Sequence, residues 1–191
     1  MLKMQKELSS EINKIKKWIK KEKVIDIILF GSVSRGKDKP NDTDLCVIIK
    51  DEDEKKSLDL VDSLGKLTDN PQFKFHINIL TEKDVISGNT LTNTLLSEGI
   101  SIKKNKDFAS IFGFESKILF VYSLKDFSPS KRVKFHYLLR GRYGSKGVLK
   151  EVNGEFLGTG SIIVPTNKGD YLKEVFDKWG VDYKIKRILY S

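Results

Sequence analysis

Apolar residues recur at Leu8, Ile12, Ile15 and Ile19, three or four positions apart. That spacing lines one stripe of a helix and predicts an amphipathic helix over residues 3–21. Two short apolar runs follow, VIDIILF at residues 24–30 and TDLCVII at residues 43–49. The first stops at Gly31 and Ser32, a loop rich in glycine and charge separates the two, and both read as strands buried in a sheet. Leu58, Val61, Leu64 and Leu67 give a second amphipathic helix. Pro71 then resets the chain into a strand over residues 73–80, followed by helical stretches at 84–86 and 91–98 that Gly99 stops. Residues 104–113, polar at the start and glycine-bearing at the end, read as a linker.

Beyond the linker the pattern predicts a strand at 118–124, a helix at 128–140, strands at 148–152 and 156–164, a helix at 170–179 and a strand at 183–190. Ser128 and Pro129 read as an N-cap followed by proline at the first helical position. Asn153 with Gly154 reads as a two-residue hairpin turn, and Gly180 as a helix C-cap. The succession β-α-β-β-α-β is the ferredoxin-like one. The expected class is therefore α+β, with one domain over residues 1–103 and a second over 114–191.

A chain of 191 residues can bury roughly 70% of its unfolded surface, so a packed core is available. No apolar run is long enough for a bilayer, and the lysine-rich start carries no secretory pattern, so a cytoplasmic protein with no membrane partner is expected. The single cysteine, Cys46, lies in an apolar strand and reads as a small core residue. The net charge of +9 is unevenly spread. Residues 1–116 hold 20 basic and 19 acidic side chains, whereas residues 117–191 hold 15 and 7. A positive excess confined to the last 75 residues suits a surface set against phosphates, although 30 of the 35 basic residues are lysine and a solvated face gives the same count.

The chemistry concentrates in Phe30-Gly31-Ser32-Val33-Ser34-Arg35-Gly36, then Asn41-Asp42-Thr43-Asp44-Leu45. Gly31 ends a strand, so the backbone N–H groups after it and the Ser32 hydroxyl can face an anion such as a triphosphate. Asp42 and Asp44 stand at i and i+2 of the next strand and project from one face. Two converging carboxylates suit a hard divalent ion, Mg²⁺ or Mn²⁺, that takes its remaining oxygens from substrate phosphates and water.

This arrangement resembles the minimal nucleotidyltransferases of the DNA polymerase beta superfamily. Their signature is an apolar strand, Gly-Ser, a gap of nine to thirteen residues, and Asp-x-Asp within a second strand. The match runs over about residues 24–103 and includes Arg35 and Gly36 in the loop and Glu98-Gly99-Ile100 near the domain end. The resemblance implies a polymerase-beta-type palm that binds metal with an NTP such as ATP. It also implies nucleotide contacts at Gly31, Ser32 and Arg35, and metal ligands at Asp42 and Asp44. The family's third carboxylate belongs on the strand at 73–80, where this chain is not acidic. Asn78 takes that place, with His76 as second choice. Asn cannot accept a proton, and His can. Glu82 and Asp84 lie just past the strand, where acids favour the first turn of a helix.

In the second domain Lys131, Arg132, Lys134, Arg140 and Arg142 form the densest basic run, with Tyr143 and Lys146 in the loop after it. Lys131 and Lys134 share a helical face and could line a phosphate track, and Tyr143 could stack on a base. A palm followed by such a domain is similar in outline to polyadenylating and CCA-adding polymerases, which implies RNA as the acceptor. Two alternatives stay open: a non-catalytic nucleotide- or RNA-binding protein on the same scaffold, and an antitoxin-like nucleotidyltransferase that modifies a protein partner.

Overall fold

The computed structural model describes residues 2–22, 24–34, 42–50, 54–69 and 73–191, and the chain divides into two compact units, Met1–Gly113 and Phe114–Ser191. The first unit holds α1 (Leu2–Glu22), β1 (Asp26–Phe30), β2 (Asp42–Ile49), α2 (Glu54–Leu67), β3 (Lys74–Thr81), α3 (Glu82–Ser87), α4 (Thr90–Glu98), β4 (Ile100–Ser101) and β5 (Lys106–Asp107). Its strands form one sheet in the order β3-β2-β1-β4-β5, with β2 and β3 parallel and the other pairs antiparallel.

The alternation of side chains along β1 and β2 feeds two separate cores. Ile27 and Leu29 of β1 and Leu45, Val47 and Ile49 of β2 pack with Ile15, Trp18 and Ile19 of α1 and Leu60 and Leu64 of α2. On the opposite face Ile28, Phe30, Cys46 and Ile48 pack with Leu80, Leu95 of α4 and Phe108. A continuous apolar strand thus needs cover on both sides, and the helices supply it. The Trp18 indole N–H donates to Ser63 Oγ at 3.0 Å and joins α1 to α2. Leu58, expected on the buried stripe of α2, is 67% exposed, and Leu60 replaces it.

Cys46 has no exposed surface, as a core cysteine should. Burial, with a smaller push from Asp84, raises its thiol to about 12.

Residues 104–113 are not a linker. Lys106–Asp107 pairs as β5 against β4, the Phe108 N–H donates to Gly99 O at 2.8 Å, and a 3₁₀ turn, Ala109–Phe112, follows with Phe108 and Ala109 buried. The polar stretch lies on an edge strand, and the two apolar residues after it anchor the segment to the sheet.

The second unit holds β6 (Glu115–Ser123), α5 (Pro129–Arg140), α6 (Val148–Glu151), β7 (Glu155–Gly158), β8 (Ser161–Pro165), α7 (Gly169–Trp179) and β9 (Asp182–Tyr190). Its antiparallel sheet runs β7-β8-β6-β9, so the first strand, β6, is central and pairs with the last, β9, which forms an edge. Phe120, Tyr122, Phe135, Leu139, Ile162, Val164, Leu172 and Phe176 fill its core. Ser128 caps α5 by accepting from Lys131 N–H, and Gly180 ends α7 in the left-handed conformation.

The strand expected at 148–152 is the helical turn α6. Asn153 and Gly154 close that turn, Gly154 N–H donating to Leu149 O at 2.7 Å, instead of making a hairpin. The hairpin lies later and divides the strand expected at 156–164 into β7 and β8. A register shift between Phe156 and Gly158 precedes Gly160, whose φ is 74° and whose missing Cβ leaves room for Tyr122 O.

Candidate active site

The antiparallel pairing of β1 with β2 sets Phe30 opposite Asp44, so the turn after β1 begins beside the start of β2. Gly31 makes that turn at φ 79°, and any Cβ there would run into the Asp44 carboxylate. Two constraints therefore select glycine: the left-handed backbone and the closeness of the acid. The Ser34 hydroxyl donates to Gly31 O at 2.8 Å and closes the turn, Val33 packs on the core, and Ser32 is partly exposed.

Asp42 and Asp44 lie on the same face of β2 as Cys46 and Ile48, so this face passes from apolar and covered to acidic and open. Their side chains are 42% and 30% exposed, a setting in which water can complete the shell of a bound cation. Among the described residues no group of three or more His, Cys, Asp or Glu side chains is gathered to hold a metal ion. The donor set is nevertheless suitable for a hard divalent ion that keeps several waters and takes phosphate oxygens. Arg35 lies outside the described residues.

The parallel register of β2 and β3 separates the two third-position candidates. His76 pairs with Asp44, while Asn78 pairs with Cys46, one full repeat farther from the acids. The His76 ring spans both carboxylates, with Nδ1 3.6 Å from Asp44 Oδ1 and Nε2 3.9 Å from Asp42 Oδ1. Alternation sets both residues on one face, and the stagger between strands decides which one lies beside the acids.

Asp84 points to a different task. It accepts from the Thr81 N–H at 2.8 Å and from the Thr81 hydroxyl at 2.7 Å, while its own N–H donates to Thr81 Oγ1. That is a capping box for α3. The Thr81 N–H bond, followed by the hydroxyl bond, holds the Asp84 carboxyl below its usual range. Glu82 is exposed in the first turn of the same helix.

The model for the family described as polymerase beta, nucleotidyltransferase matches residues 13–113, more than half of the chain. The chain belongs to this family. No curated protein matches this polymerase beta nucleotidyltransferase. Two solved structures are similar to part of it. One is a tri-AMPylated Shewanella oneidensis HEPN toxin in complex with MNT antitoxin, at 23% identity over 49% of this chain and 70% of that chain, with a TM-score of 0.35. The other is a toxin-antitoxin with AMP-PNP, at 25% identity over 48% and 71%, with a TM-score of 0.36.

In the second unit of this nucleotidyltransferase several of the basic residues lie over aromatic rings or brace a loop. The Lys131 ammonium sits 3.8 Å from the centre of the Phe127 ring, and Arg140 sits 4.4 Å from that of Phe156. Arg142 lies over both Tyr137 and Tyr143. Arg132 braces the loop before α5, its Nε donating to Leu124 O and Phe127 O and its terminal nitrogen to Lys125 O. Lys134 is exposed on α5.

For the turn itself, Gly31→Ala should lower stability by about 1–2 kcal/mol, the cost of a left-handed backbone for an L-residue. It should also weaken NTP binding roughly tenfold by displacing the Asp44 carboxylate, a loss of about 1.4 kcal/mol. A thermal melt and calorimetry with a non-hydrolysable NTP measure the two effects separately.

Proposed function

We propose that this nucleotidyltransferase moves a nucleoside monophosphate from an NTP to a hydroxyl group of RNA, with Mg²⁺ or Mn²⁺ held by Asp42 and Asp44. The observation that carries the reading is the joint placement of the Gly31 turn and two carboxylates on one open end of the sheet. The ion would offset charge on the phosphates as the transfer proceeds. Gly31 and Ser32 would let the triphosphate approach the backbone without a side chain in the way.

In the transfer the acceptor hydroxyl oxygen bonds to the α-phosphorus, and the α-phosphorus bond to its bridging oxygen breaks. Pyrophosphate leaves with that electron pair, and the hydroxyl gives up its proton. His76 carries the nitrogen able to take this proton beside both acids; the Asn78 amide cannot.

The charge of the second unit supports RNA as acceptor. Residues 114–191 carry 15 basic and 8 acidic side chains, and the excess favours a polyanion.

The decisive experiment incubates the full chain with each α-labelled NTP, Mg²⁺ or Mn²⁺, and total RNA or total protein. Label should enter RNA. His76→Ala should slow its entry by roughly 10² to 10⁴, the usual worth of a general base, while Asn78→Ala leaves the rate within a fewfold. Label on protein alone would replace the acceptor, and equal losses at His76 and Asn78 would remove the proton-accepting role from His76.

A further inference from the structure

The geometry points to a stacking platform for unpaired nucleic-acid bases in the loop after α5, built on Tyr143 with Arg142 beside it. The inference deepens the RNA-acceptor reading and rests on it.

Tyr143 is 91% exposed, the highest value among the large apolar and aromatic side chains of the described residues. Its backbone is held at φ 46°, in the left-handed region that a bulky L-residue avoids. A ring that contributes nothing to a core therefore sits in a conformation that the surrounding loop must impose.

The loop imposes it through a closed set of bonds. Arg142 N–H donates to Ser145 Oγ at 3.0 Å, the Ser145 hydroxyl donates to Arg142 O at 2.7 Å, and Ser145 N–H donates to the same oxygen at 3.0 Å. At its base a Cβ on Gly141 would strike Ser145 O, and one on Gly147 would strike Leu139 O, so the two ends of the loop pack backbone to backbone. Tyr143 is thus presented on a fixed frame.

Around the ring stand flat and cationic groups. The Arg142 guanidinium is 4.6 Å from the Tyr143 centroid and 4.9 Å from that of Tyr137, itself 43% exposed. Lys146 is exposed in the same loop. Aromatic and guanidinium planes stack on bases whatever their identity, and the positive charge meets the adjoining phosphates. Bases in a duplex already stack on one another and offer no free face. The platform therefore selects unpaired strands without reading sequence.

The test is fluorescence anisotropy of the full chain with three labelled probes of equal length: oligo(A) RNA, an abasic strand of the same charge, and an RNA duplex. The wild type should prefer oligo(A) over the abasic strand. Tyr143→Ala should weaken oligo(A) binding about tenfold and erase that preference, Tyr143→Phe should stay within about twofold, and duplex binding should be unaffected. If the wild type binds oligo(A) and Tyr143→Ala binds it equally well, the platform is wrong while the RNA reading stands. An equal loss on all three probes would reduce Tyr143 to a bystander of an electrostatic surface. If the wild type binds none of the probes at low salt, the RNA reading fails and the platform fails with it.

Discussion

Replacing Asp42 or Asp44 by Ala should reduce transfer by about a thousandfold or more, and the double variant should lose the metal-dependent part of its NTP affinity altogether. The size follows from what a bound divalent ion contributes, several kcal/mol against charge developing at the reacting phosphoryl group, each 1.36 kcal/mol being a tenfold change in rate. The fold should survive. Both side chains are partly open, at 42% and 30% exposure, while the strand is held by Leu45, Val47 and Ile49 on one face and Cys46 and Ile48 on the other. Removing two neighbouring negative charges also relieves their mutual repulsion, so the thermal midpoint should hold or rise slightly. Calorimetry with a non-hydrolysable NTP, with and without Mg²⁺, reads the binding loss, and circular dichroism reads the fold. A double variant that binds the metal–NTP complex as tightly as wild type would show that the ion sits elsewhere.

Phe176→Ala should destabilise the second unit by about 3–5 kcal/mol, the usual cost of deleting a buried aromatic side chain. Phe176 has no exposed surface and lies 5.3 to 5.4 Å, centre to centre, from the rings of Phe120, Tyr122, Phe135 and Tyr183. Four rings of three different elements would lose the same partner, and a protein interior does not close over such a gap without cost. For a unit of this size the melting midpoint should fall by about 15–25 °C. Phe176→Leu, which keeps most of the volume, should lose far less. A melt followed by near-ultraviolet circular dichroism compares the three chains, and equal midpoints for Phe176→Ala and wild type would mean that the cluster does not hold the unit together.

Much of the first unit could be read from the order of residues alone. The two apolar runs became β1 and β2 because a strand buried on both faces has no polar positions to alternate, and Asp42 and Asp44 share a face for purely local reasons. What lay between strands was less legible. Whether His76 or Asn78 meets the acids depends on the stagger of β3 against β2, and no residue near either position encodes it. The segment at 104–113 read as a linker because its start is polar, although Phe108 and Ala109 are what bind it to the sheet. Val148 and Leu149 suit a strand by pattern because a short apolar run looks the same in either state, and Asn153 with Gly154 closes a helical turn as readily as it turns a hairpin. Arg140 and Arg142 are exposed, and their seats over aromatic rings come from chain folding rather than sequence spacing.

The sealed position of Cys46 has a practical use. It is the only cysteine in the chain, with no surface and a thiol raised to about 12, so it presents almost no thiolate at neutral pH. A disulfide or alkylating reagent can reach it only after the cover of Leu80, Leu95 and Phe108 over that face of β2 has opened. The rate of modification therefore counts openings of the layer packed over the strand that carries Asp42 and Asp44, without any probe having to be introduced.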